Sequence, residues 1–141
     1  MTPGPPSIRT ASAAVTNTGS NTTPYDTGSQ IGTAWEQFNW VLGGDVTGDH
    51  RADIVAERSD GTLWLYVNGG SNSAPYSTGT QIGTAWQQFD RIQVGDVTGD
   101  SRADVVATKP DGTLWLYTNG GSDSTPYSTS SQIGSGWQNF A

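Results

Sequence analysis

The chain is 141 residues long, 33% hydrophobic and only 13% charged, with six basic residues against thirteen acidic ones for a net charge of −7. That balance argues against a nucleic-acid partner, whose phosphates need a basic face, and no run of about 18 apolar residues is present to insert into a membrane. Cysteine is absent, so neither disulfides nor thiolate zinc sites hold the fold.

So few aliphatic residues would suit a disordered chain, but six Trp and five Tyr can supply a core instead. They recur at a fixed interval: Trp35, Trp86 and Trp137 stand 51 residues apart, as do Pro24, Pro75 and Pro126. A period of that size marks a repeat architecture. Residues 24–74 and 75–125 align without a gap and differ at 16 of 51 positions.

The N-terminus, Met1 to Pro6, carries no apolar signal-peptide core, so either this is a mature or recombinant form or the protein is not exported by that route. Residues 10–23 align with 61–74 and keep the Asn-x-Gly-Ser-Asn turn, while Ala13 and Val15 stand where the full copy has Trp64 and Tyr66. Residues 1–23 therefore read as the degenerate end of a split repeat. After Trp35 the pattern predicts a strand in which Val41 and its twin Ile92 face the core. Trp40/Arg91 and Leu42/Gln93 change character, so they face solvent or an interface. Ile54–Ala56 and Leu63–Tyr66 are apolar on both faces and bounded by Asp-Gly and Asn-Gly-Gly, as are Val105–Ala107 and Leu114–Tyr117, which predicts strands covered on both sides. A fourth strand is expected near Tyr76–Ile82, and Gly and Pro recur too often for any helix beyond a turn. Residues 126–141 read as the start of a further copy. Four short strands in 51 residues make one blade of a β-propeller, so the expected fold is all-β, with blades at 24–74 and 75–125.

One motif carries chemistry. Asp45, Thr47, Asp49 and Asp53, with Gly48 at the turn, recur as Asp96, Thr98, Asp100 and Asp104 with Gly99. Oxygen-bearing side chains at positions 1, 3, 5 and 9 can wrap a hard cation, with the backbone carbonyl of Arg51 or Arg102 as a further ligand. The competing reading is a hairpin turn held by Asx-type hydrogen bonds. Ala56 and Ala107 occupy position 12, where an EF-hand has Glu. The single histidine, His50, has Ser101 as its twin, and the carboxylates fall in two copies of one loop rather than across a cleft. No catalytic arrangement is visible.

The run D-x-T-G-D-x-R-A-D-[IV]-V-A followed by D-G-T-L-W-L-Y resembles the FG-GAP/VCBS repeats of secreted and cell-surface β-propellers. The resemblance implies structural Ca2+ at Asp45, Thr47, Asp49, the Arg51 carbonyl and Asp53, and at Asp96, Thr98, Asp100, the Arg102 carbonyl and Asp104. It also implies an extracellular location. The family usually has Gly at position 6, where this chain has His50 and Ser101. If that position needs φ > 0, a side chain there costs on the order of 1 kcal/mol and weakens the site. A looser similarity, carried by Q-I-G-T-A-W-x-Q-F and L-W-L-Y-x-N-G-G, links the chain to tachylectin-like propeller lectins. It implies glycan contacts at Trp35, Trp64, Tyr66, Trp86, Trp115, Tyr117 and Trp137, although a Trp repeated in every blade is more often core packing between sheets. The alternative function is a structural or protein-adhesion propeller. The length is twelve residues short of three periods. A head-to-tail joint between the tail of one chain and the head of another would complete a split blade, favouring a dimer of six blades; an excised piece of a longer propeller is the rival.

Overall fold

The computed structural model describes residues 11–16, 19, 21, 22, 27–71 and 73–140. It contains ten strands: β1 (Ala11–Thr16), β2 (Thr27–Thr33), β3 (Phe38–Gly44), β4 (Asp53–Arg58), β5 (Leu63–Tyr66), β6 (Gly79–Gly83), β7 (Arg91–Gly95), β8 (Asp104–Thr108), β9 (Leu114–Thr118) and β10 (Thr129–Gly134). Single 3-10 turns at Trp35–Gln37, Trp86–Gln88 and Trp137–Phe140 are the only helical pieces among the described residues. Two four-stranded antiparallel sheets, β3-β4-β5-β6 and β7-β8-β9-β10, are the blades, and among the described residues β1 pairs with β2 alone.

The sheets are cut differently from the sequence copies. Each outer strand comes from the following copy: β6 lies within 75–125, and β10, within 126–141, pairs with β9 and completes the second sheet. By the same 51-residue offset, β1 and β2 correspond to β5 and β6, the outer half of a blade preceding the first. Pro24, Asn17 and Ser20 of the head lie outside the described residues, as do residues 1–10 and Ala141.

Strand register explains how the blades pack. Leu42 pairs with Val55 and Val55 with Leu65, so these three share one face of the first sheet. Ile92 pairs with Ala107 and Ala107 with Trp115 on one face of the second. The core joins these faces: Val55, Leu63, Leu65, Ile92, Val105 and Ala107 are buried in one cluster, with Trp40 and Leu42 packed against it. Burying each aliphatic side chain stabilises the pair of blades by about 1.5–3 kcal/mol. The inner strands β3 and β7 lie side by side.

Val41 departs from its expected place. Ile92 is 1% exposed, whereas Val41 is 45% exposed. The two occupy the same face of their sheets, but only the second sheet has a whole blade against that face. Trp40 and Leu42 change to Arg91 and Gln93 for the complementary reason: in the first sheet their face meets a blade, and in the second it does not.

Candidate metal centre

The loop between β3 and β4 is organised by its own carboxylates. Asp53 opens β4 and is fully buried. Its Oδ2 accepts the N–H groups of Val46 (2.9 Å) and Thr47 (3.0 Å), and the Thr47 hydroxyl at 3.2 Å. Its Oδ1 accepts the Asn68 N–H at 2.9 Å. Asp45 Oδ1 accepts from Gly48 and Asp49 (2.7 and 3.1 Å), and Oδ2 from His50 (2.8 Å). Asp49 Oδ1 accepts the Arg51 N–H at 2.9 Å. Burial pushes the Asp45 carboxyl up, but the three N–H bonds and the His50 charge together outweigh it and hold the group below the usual carboxylate range.

The second loop repeats this frame. Asp104 Oδ2 accepts from Val97 and Thr98 (2.9 and 3.0 Å) and Oδ1 from Asn119 (2.8 Å). Asp96 accepts from Gly99, Asp100 and Ser101, and Asp100 from Arg102. His50 and Ser101 have φ of 69° and 70°, so the position where the family carries Gly is left-handed in both loops.

The turn reading and the metal reading therefore coexist. Backbone N–H groups fix the carboxylates, and ligand oxygens of Asp45, Asp49 and Asp53 still lie within 4.8 Å of one another, as do those of Asp96, Asp100 and Asp104. Each carboxylate keeps a lone pair beyond those the hydrogen bonds use, because Asp53 Oδ1, Asp45 Oδ2 and Asp49 Oδ1 accept one donor each. A set of hard, anionic oxygens at this spacing fits a divalent cation of the calcium type. The Arg102 side chain rests on Gly48 of the first loop, whereas its twin Arg51 folds against Gly70 of its own blade.

The aromatic candidates fall into three settings. Trp35 and Trp86 form equivalent clusters with Phe38 and Tyr66, and with Phe89 and Tyr117, at centroid distances of 4.7 Å to Tyr66 and 4.6 Å to Tyr117. The second cluster is closed, with Trp86 buried. Beside the first, a cavity of about 280 Å3 opens between the β1–β2 pair and the first sheet, lined by Trp35, Phe38, Tyr66 and Tyr76 with Thr33 and Gln37. Trp64 and Trp115 are fixed by the Asp-Gly-Thr turn: the indole N–H donates to Thr62 or Thr113, whose hydroxyl donates to Asp60 or Asp111. Arg58 and Lys109 lie over their rings at 4.2 and 4.4 Å. Trp137 is 40% exposed and lines a groove with Asp90, Gln93, Lys109 and Leu114.

Sequence reasoning passed over Asn68 and Asn119, whose backbone N–H groups hold the buried Asp53 and Asp104. Their signal was the Asn-Gly-Gly retained in both copies. It also passed over Glu57, buried with its Oε1 unbonded, where the twin is Thr108.

These blades and their loops define a β-propeller repeat class. Residues 45–107, a span that holds both acidic loops, match the family model of the FG-GAP-like repeat. No curated protein and no solved structure matches it.

Proposed function

We propose that this is a non-catalytic, extracellular recognition module whose two acidic loops bind calcium structurally and whose aromatic cavity beside Trp35 takes a glycan. The observation that carries the metal half is the duplicated convergence of three carboxylates within 4.8 Å. With side chains at the left-handed sixth position, the affinity expected is that of extracellular modules, about 10⁻⁴–10⁻³ M, which fills only where calcium is abundant. The glycan half is supported by a cavity whose aromatic faces suit pyranose rings and whose rim carries Thr33 and Gln37.

Melting in calcium and in chelator tests the metal. Calcium raises the melting temperature by an amount that grows with its concentration, reaching about 2.7 kcal/mol of stabilisation at a hundredfold excess over the dissociation constant. Asp49→Asn with Asp100→Asn removes this response and leaves the chelated melting curve nearly unchanged, because each of these carboxylates accepts only the neighbouring loop N–H of Arg51 or Arg102. Coincident wild-type curves in calcium and chelator would leave only the turn. For the sugar, a glycan array followed by tryptophan fluorescence titration is the measurement. Binding that Trp35→Ala abolishes supports the cavity, and a blank array at high protein concentration leaves the adhesion-propeller reading.

A further inference from the structure

The two blades carry the same joint-forming residues, but only one set is engaged. Where the blades meet, the Ala103 N–H donates to the Asp45 carbonyl at 2.7 Å. The Asn119 side-chain amide donates to the Val46 carbonyl at 2.8 Å. Val46, 1% exposed, sits in the cluster with Ala103 and Tyr127. The second blade thus presents a socket (Ala103, Asn119, Tyr127) and the first loop a plug (Asp45, Val46).

The twin residues stand open at the opposite ends of the molecule. Val97, the twin of Val46, is 52% exposed. Asn68, the twin of Asn119, has the same bonds within its own blade, its amide reaching the Ala52 carbonyl at 3.1 Å, but among the described residues makes no bond to another blade. Ala52 is exposed where Ala103 is buried, and the Tyr76 hydroxyl meets the Ala52 carbonyl just as Tyr127 meets that of Ala103. Every local bond that shapes the socket is made, and among the described residues no plug is docked on Ala52 and Asn68.

We propose that a second copy of this chain docks its Asp96–Val97 loop into the Ala52–Asn68–Tyr76 socket, reproducing between molecules the joint that holds the two blades together. The partner is fixed by continuity with the joint inside the chain: the exposed plug differs from the engaged one by no residue between Asp96 and Asp100. The second copy's β9 and β10 take the place now held by β1 and β2, which pair with neither four-stranded sheet and can be displaced. Arg91 and Gln93 stand where the engaged face has Trp40 and Leu42, so the contact is more polar than the internal one and reversible.

Light scattering and sedimentation of the full chain over a wide concentration range test this. The wild-type mass rises from the 14.8 kDa of one chain towards multiples of it. Val97→Asp, on an exposed side chain, keeps the melting temperature at dilution and raises the concentration needed for association by about tenfold or more, which corresponds to at least about 1.4 kcal/mol. Asn68→Ala shifts association in the same direction. A wild type that remains at the single-chain mass throughout, or one that associates as well with Asp at 97 as with Val, overturns the proposal. Neither result bears on calcium binding, which is read by melting, and the glycan cavity, whose wall includes Thr33 of β2, is tested on the dilute single chain, where β1 and β2 are in place.

Discussion

His50 and Ser101 hold left-handed backbone that glycine adopts without steric cost. A side chain there costs roughly 1–2 kcal/mol, offset in part by the larger entropy glycine loses on folding. His50→Gly with Ser101→Gly is therefore expected to stabilise the chain by about 0.5–1 kcal/mol per loop, read as a rise in urea midpoint at constant slope. It also tightens calcium if the loops bind it. A fall in midpoint would show that the His50 and Ser101 side chains contribute more than their backbone costs. The chain contains its own version of this exchange: Ala34 and Ala85 have φ of 65°, and the third copy places Gly136 there at 78°. The need for a left-handed residue in the loop was legible from the family pattern. The one before each 3-10 turn was not, because two alanines conceal it.

At the scale of the strand, β4 carries an anomaly. Glu57 pairs with Trp40 and Leu63 across the sheet, on the face that meets the second blade, and is 2% exposed. Burial pushes its pKa from 4.5 up to about 7. A folded-state pKa raised above the unfolded value means that the folded chain holds the extra proton between these limits. Stability is then greatest below the unfolded pKa and falls as pH rises through about 7. Glu57→Gln should flatten the dependence and stabilise the protein above neutral pH, by about 2 kcal/mol. Urea titrations on either side of neutrality check it, and equal pH profiles for the two proteins would remove Glu57 as the cause. The strands themselves were readable because β4, β5, β8 and β9 are apolar runs between turn residues. Their burial was not, since alternation cannot say whether a neighbouring blade exists. Val41 and Ile92 occupy equivalent positions and end on opposite sides of that question.

For the whole molecule, the repeat was legible from spacing alone, and the convergence of the loop carboxylates followed from their positions 1, 5 and 9. What spacing could not give was the joint between blades, because its partners lie 73 residues apart for Asn119 and Val46. Equally hidden was the double duty of Asp53 and Asp104, ligand candidates that also anchor the loop through buried N–H bonds. Sequence reading treats a metal motif as a site placed on a fold. Here the same nine residues shape the turn, bring three carboxylates together and, in the first loop, present the carbonyls that bind the next blade.

That bond from Asn119 to Val46 has a consequence for how such a molecule can grow. Both halves of the joint are written within every 51-residue unit, the donor near its end and the acceptor near its middle. A tandem copying event in the gene would therefore add a blade and its fastening together, with no second mutation needed to create a partner surface. Enlargement by whole units is mechanically cheap for this chain, and divergence can follow whether a face meets a blade, as it has at Trp40, which packs in the joint, and its twin Arg91, which does not.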